Sequence, residues 1–174
     1  MIDQLTHNES SFQKKEFPII LLLDNILGEA NLGSMFRLAD AFGIQKIIFC
    51  GSEPNLKSNR LKRTARNTYK TVDSEFKEDP TEAIKELKIK GFRSLAIEIT
   101  SSSKAVENIS LENNEKILLV AGNERHGISD EALKLCDDCY HIEMFGENSS
   151  MNVAQSVGIA LYEITKAFNK FDKK

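Results

Sequence analysis

Residues 19–25 (IILLLDN) constrain this chain most: five consecutive aliphatic side chains that end in an acid and an amide. A strand with one solvated face alternates apolar and polar residues, whereas an unbroken run marks a strand buried on both faces. Such a strand needs neighbours on both edges and covering layers above and below. A mostly parallel sheet with helices on both faces meets that demand.

The rest of the chain alternates accordingly. From 31 to 42, Leu32, Met35, Phe36, Leu38, Ala39 and Phe42 recur at helical spacing and Gly43 stops the helix, with Asn31 as a candidate cap. Residues 45–51 read as a strand, and Asp79-Pro80-Thr81 opens a helix that runs to Lys90 and ends at Gly91. Strands follow at 93–100 and 116–121, joined by a Ser-rich, partly helical link. Ser129 caps a helix to Cys136, 140–145 forms a last strand, and 151–171 a long C-terminal helix. Val153, Val157, Leu161, Ile164, Phe168 and Phe171 make its apolar stripe.

Composition narrows the class. With 174 residues, 41% hydrophobic and 28% charged, the chain reads as one globular α/β domain over 1–174, with 1–17 as an extension. No apolar run approaches the roughly 20 residues that span a bilayer, and the polar start lacks a signal region, so a cytoplasmic protein is expected. Asn8-Glu9-Ser10 matches a glycosylation acceptor, which has no meaning without secretion. Cys136 and Cys139 have C-x-x-C spacing but no second ligand pair, and the two aspartates between them oppose a reactive thiolate. They read as packing residues.

The net charge of −3 hides a patch. Residues 57–70 (KSNRLKRTARNTYK) carry Lys57, Arg60, Lys62, Arg63, Arg66 and Lys70 without one acid. That is a solvated face or a phosphate-contacting surface, because local potential steers polyanions.

Three loops at the expected carboxyl edge of the sheet hold the chemistry. The first spans 28–37 and includes Asn31, Gly33 and Arg37; the second is Ala121-Gly122-Asn123-Glu124-Arg125-His126-Gly127; the third is 146–153, where Ser150 or Asn152 can cap the last helix. Gly33 permits a close backbone approach. The second loop is a backbone cradle or a plain turn. There is no G-x-G-x-x-G, P-loop lysine, G-x-S-x-G or metal-ligand cluster.

Taken together, NLGSMFRLADAFG, VAGNERHGIS and IEMFGENSSMNVAQSVGIALYE resemble the three ordered motifs of the SpoU/TrmH family of RNA 2′-O-methyltransferases, in the SPOUT superfamily. The resemblance runs from about Ile19 to the C-terminus. It implies a C-terminal trefoil knot, a topology that chains otherwise avoid, a homodimer, and S-adenosylmethionine as cofactor. On that likeness Gly122, Asn123, Ile142, Met144, Met151, Val153 and Ala154 cradle the cofactor, with Gly122 leaving room for it. Asn31, Arg37, Glu124, Ser150 and Asn152 fall on catalytic positions.

Glu143 departs from the family's proline between Ile142 and Met144. Arg37 is expected to steady a developing alkoxide, since a guanidinium does not readily release its proton. Glu124 is expected to orient Arg37 or the loop. With no separate RNA-binding domain expected, recognition falls to Arg60, Lys62, Arg63 and Arg66 and to the lysines near the ends (Lys14, Lys15, Lys166, Lys170, Lys173, Lys174). Transfer RNA is the favoured substrate, ribosomal RNA the next. A catalytically silent RNA- or adenosyl-binding protein of the same fold is the alternative class.

Overall fold

The computed structural model describes residues 13–171; Asn8–Ser10, Lys173 and Lys174 lie outside them. Seven strands form one all-parallel sheet: β1 (Phe17–Asp24), β2 (Ile44–Cys50), β3 (Ser74–Lys77), β4 (Phe92–Ile97), β5 (Lys104–Ala105), β6 (Lys116–Ala121) and β7 (Asp138–His141). Their spatial order is β3-β2-β1-β6-β4-β7-β5. The helices are α1 (Glu29–Ala41), α2 (Asn59–Ala65), α3 (Pro80–Ile89), α4 (Asp130–Leu135) and α5 (Val153–Phe168).

The apolar run behaves as the pattern demands. Successive residues of β1 and β6 point to opposite faces. Ile19, Leu21 and Leu23 join Ile117 and Leu119 in a core layer under α1, α2 and α5. Ile20 and Leu22 join Leu118 and Val120 in a second layer with Ala83, Ile84 and Leu87 of α3 and Ala132 of α4. Each central strand therefore needs aliphatic residues at every position.

Several local expectations shift. Residues 74–77 add an edge strand, and the Ser-rich link contributes β5 and one turn of 3-10 helix. Strand β7 begins earlier than expected, because Arg93 holds Asp138 and Ser94 holds Asp137 at its start. Helix α1 starts two residues before Asn31, with Gly28 in the capping position. Ser129 precedes α4 without capping it; its hydroxyl donates instead to the buried Asp24 at 2.7 Å. Asp79 and Asn152 do cap, each accepting from backbone amides of the first turn. The stripe of α5 is spent inside the chain: Phe168 is buried, its ring 5.7 Å from that of Phe17.

The order of strands reverses direction between β1 and β6, so the loops after them diverge and leave a crevice at their carboxyl ends.

Candidate functional site

The three motif loops meet at that crevice through a chain of hydrogen bonds centred on Glu124. Its Oε1 accepts from the Asn31 side-chain amide at 2.8 Å and from the Gly28 backbone amide at 3.0 Å. The Asn31 carbonyl oxygen accepts from the Asn152 side-chain amide at 2.9 Å. Asn152 in turn accepts from the Ala154 and Gln155 amides and so caps α5. One carboxylate thus ties the first loop to the second, and Asn31 relays that tie to the third. Burial alone would raise the Glu124 pKa; the donors from Asn31, Gly28 and Leu27 outweigh it and hold the group below its usual value.

Asn31 does not cap α1. It is the third residue inside the helix, and its side chain donates to Glu124 and accepts from Asn152 instead. Nor does Glu124 orient Arg37. The two share no hydrogen bond, and Arg37 is exposed without an ion-pair partner among the described residues. Arg37 instead lines an open groove of about 680 Å³ with Asn31, Ser34, Asn152, Ala154 and Gln155. Its other lining residues are neutral, the amides Asn31, Asn152 and Gln155 beside apolar Ala30, Leu38 and Ala41, so an anion entering the groove would meet one cation.

Ile142, Met144, Ser150 and Met151 line a second, smaller cavity with Glu98 and His141. Ile142 and Met144 turn towards it although Glu143 replaces proline, so the inward turn of this segment does not need that proline. Val153 packs on the core, and the Ala154 amide is engaged by the cap.

Asn123 is fully employed in the second loop: its amide donates to the Asn25 carbonyl at 2.7 Å, and its oxygen accepts from the Arg125 and His126 amides. Gly122 has a different reason from the one expected. A Cβ there would overlap the backbone of Gly127 and Ile128. Its bareness lets the loop fold on itself, closed by the bridge between Asn123 and Gly127.

Two positioning residues escaped the motifs. Asp24 accepts from both the amide and the hydroxyl of Ser129, and Glu98 accepts from the Ile128 amide at 3.1 Å. Both stand at carboxyl ends of apolar strands, and that polar ending was the available signal. The cysteines are packing residues as read: Cys136 and Cys139 donate to the Ala132 and Glu98 carbonyls, and burial chiefly pushes the Cys136 thiol up to about 12.

The basic stretch folds into α2 and the turn after it. Arg60, Arg63, Arg66 and Lys70 are exposed, and none of the stretch's cations is ion-paired among the described residues. Cations elsewhere, such as Lys46, Lys88 and Arg93, do have acid partners. Gly33 seats α2 on α1, since a Cβ there would come within 2.6 Å of the Leu61 carbonyl. The close approach expected at Gly33 is thus a helix–helix one.

Residues 18–162 match the SpoU rRNA Methylase family. Among curated proteins, the chain is 28% identical to the tRNA (guanosine(18)-2′-O)-methyltransferase of Aquifex aeolicus, over 87% of this chain and 70% of that protein. The crystal structure of the A. aeolicus TrmH/SpoU tRNA modifying enzyme superposes with a TM-score of 0.81 at 26% identity, covering 91% of this chain and 79% of that one. A solved structure described as giving insights into the 2-OH methylation of C/U34 on tRNA superposes with a TM-score of 0.74 at 25% identity, covering 91% of this chain and 100% of that one.

Proposed function

Because this chain belongs to the SpoU rRNA Methylase family, we propose that it transfers a methyl group from S-adenosylmethionine to a ribose 2′-hydroxyl of RNA, and that the RNA is a transfer RNA. The observation that carries the reading is Arg37: a solitary cation in a groove whose wall is built by the Glu124–Asn31–Asn152 relay. Two tRNA enzymes among the relatives support the substrate.

The cavity beside that groove fits the cofactor in kind. Ile97, Ile142, Met144 and Met151 offer apolar walls to an adenine, while Glu98 and Ser150 add polar atoms. These residues, with the backbone of 122–123 and 151–154, would hold it. When bound, the cofactor supplies a methyl on a sulfonium, already activated for transfer.

What the chain adds is alignment and charge. Arg37 binds the phosphate next to the target ribose and steadies the oxygen as its proton leaves. Ser150, exposed and without a hydrogen-bonded partner among the described residues, is placed to pass the hydroxyl proton on to solvent water, which takes it away. Asn31 and Asn152 face the groove as neutral amides, and the Glu124 carboxylate behind them accepts from Asn31 and the Gly28 amide rather than from Arg37.

On the same reading the protein works in the cytoplasm as a homodimer, with residues 1–174 as one catalytic domain. An apolar groove between α1 and α5, lined by Leu38, Phe42, Met151, Gly158, Ile159 and Tyr162, supports the dimer. The trefoil knot that the family likeness implies would lie where the segment after β7 shares a cavity with the end of β4, through Ile97, Ile99, Ser150 and Met151. Arg60, Lys62, Arg63 and Arg66 would meet RNA phosphates.

A labelled-methyl assay on total RNA from cells lacking the protein tests the reading. Label is expected in the tRNA fraction; label in ribosomal RNA alone overturns the substrate, and no label in any RNA overturns the activity. Arg37→Ala is expected to bind S-adenosylmethionine like wild type in calorimetry. Its single-turnover rate should fall about 100- to 1000-fold, the usual loss for one preorganised charge. Near-normal turnover would remove Arg37 from the mechanism.

A further inference from the structure

We propose that Phe145 is a stacking platform on which one nucleobase of the RNA substrate rests while a ribose of that strand occupies the adjoining groove. The inference rests on the RNA-methyltransferase reading above and deepens it, because it concerns how the same site grips its substrate.

Phe145 is 94% exposed, more than any other large apolar residue described. Its position is dictated by its neighbours. Residues 142–145 alternate: Ile142 and Met144 turn into the cavity, so Glu143 and Phe145 turn out. The cavity therefore anchors the backbone on which the ring is displayed. Six and seven residues on, Met151 and Asn152 return the chain to the site, Met151 in the cavity wall and Asn152 in the Arg37 groove. Phe145 is thus tethered at both ends to the place where chemistry is expected. Ile99, 56% exposed, follows the cavity residue Glu98 at the same end of the sheet.

Charge decides which part of an RNA can meet this ring. Residues 142–152 contain Glu143 and Glu147 and no lysine or arginine. Such a segment repels phosphates, whereas the π-face of a base is uncharged and stacks on an aromatic ring. Phosphate contacts have their own place on α2, where the cations lack acid partners. A second copy of the chain has its own surface too: the α1–α5 groove does not include Phe145.

The test uses the full-length protein and the RNA that wild type methylates. Phe145→Ala and Phe145→Leu are expected to weaken RNA binding about 5- to 150-fold, the range for loss of one stacked base. Phe145→Tyr should stay near wild type. S-adenosylmethionine affinity and the light-scattering mass should not move, and the slope of RNA affinity against salt should be unchanged, since stacking releases no counterions. In a set of substrates each carrying one abasic nucleotide, one should cost wild type the same factor and cost Phe145→Ala nothing.

Phe145→Leu binding as well as wild type would overturn the proposal, and so would a loss equal at every abasic substrate. A fall in mass for Phe145→Ala would assign the ring to a second copy of the chain instead. If wild type methylates RNA and the variants are indifferent, Phe145 alone is misassigned; if wild type binds no RNA, both readings fall together.

Discussion

Gly122 shows how one residue can suggest a ligand and serve the chain itself. The second loop turns back so tightly that Gly127 and Ile128 occupy the space where a side chain at 122 would begin. Gly122→Ala should therefore destabilise the fold by about 1–3 kcal/mol, as overpacked sites do, and lower the melting temperature with no ligand present. A variant that melts like wild type yet loses S-adenosylmethionine affinity would show that the bareness of Gly122 serves the cofactor rather than the fold. Glu124 was legible as a site residue but not as a hub. Its partners lie 93 and 96 residues away, and local patterns do not reach that far.

At the scale of elements, the first turn of α5 is where packing and chemistry join. Asn152 caps the helix with its oxygen and reaches Asn31 with its nitrogen. Asn152→Ala removes both. Loss of the cap is expected to cost about 0.5–2 kcal/mol, and loss of the reach loosens the wall beside Arg37. Methyl transfer should then slow more than thermal stability alone explains. Asn152→Asp keeps a capping oxygen but no donor for Asn31, so it should recover most of the melting temperature and little of the rate. Recovery of both would make Asn152 a cap only. Asn152 could be named a cap candidate from its position, while its second partner required the fold. Strand β3 lacked any apolar run: it sits at the sheet edge, where burial demands little of its residues.

Across the whole molecule, the carboxylates set the response to acid. For Asp137 and Asp138, burial pushes the pKa up, but hydrogen bonds from Lys88 and Ser94 and from Arg93 and Lys104 pull it below the usual value. Glu86, held by Lys77 and Lys90, falls to about 2, and Glu124 is lowered as well. Groups lowered in the folded state bind fewer protons there than in the unfolded chain. Their contribution is complete above the ordinary carboxylate values and drains away as pH falls through the lowered ones. Melting temperature should hold steady above roughly pH 5 and decline progressively below it. Asp137→Asn should be less stable than wild type at neutral pH and decline less steeply in acid; parallel curves would show that Asp137 does not take part.

What the residues determine on their own is the class of sheet, the two-faced burial of its central strands and the placing of three polar loops at its carboxyl edge, whose identity as motifs came from the family resemblance. These follow from side-chain spacing and composition within short windows, where hydrophobic burial has a local signature. Only the tertiary structure decided that Glu124 serves Asn31 and Gly28 rather than Arg37, that Phe168 is spent on Phe17, and that Arg37 faces the groove alone. Those outcomes depend on which loops a parallel sheet brings to one edge. Contacts between residues far apart in the chain are chosen by packing, and packing leaves no periodic trace in the order of residues.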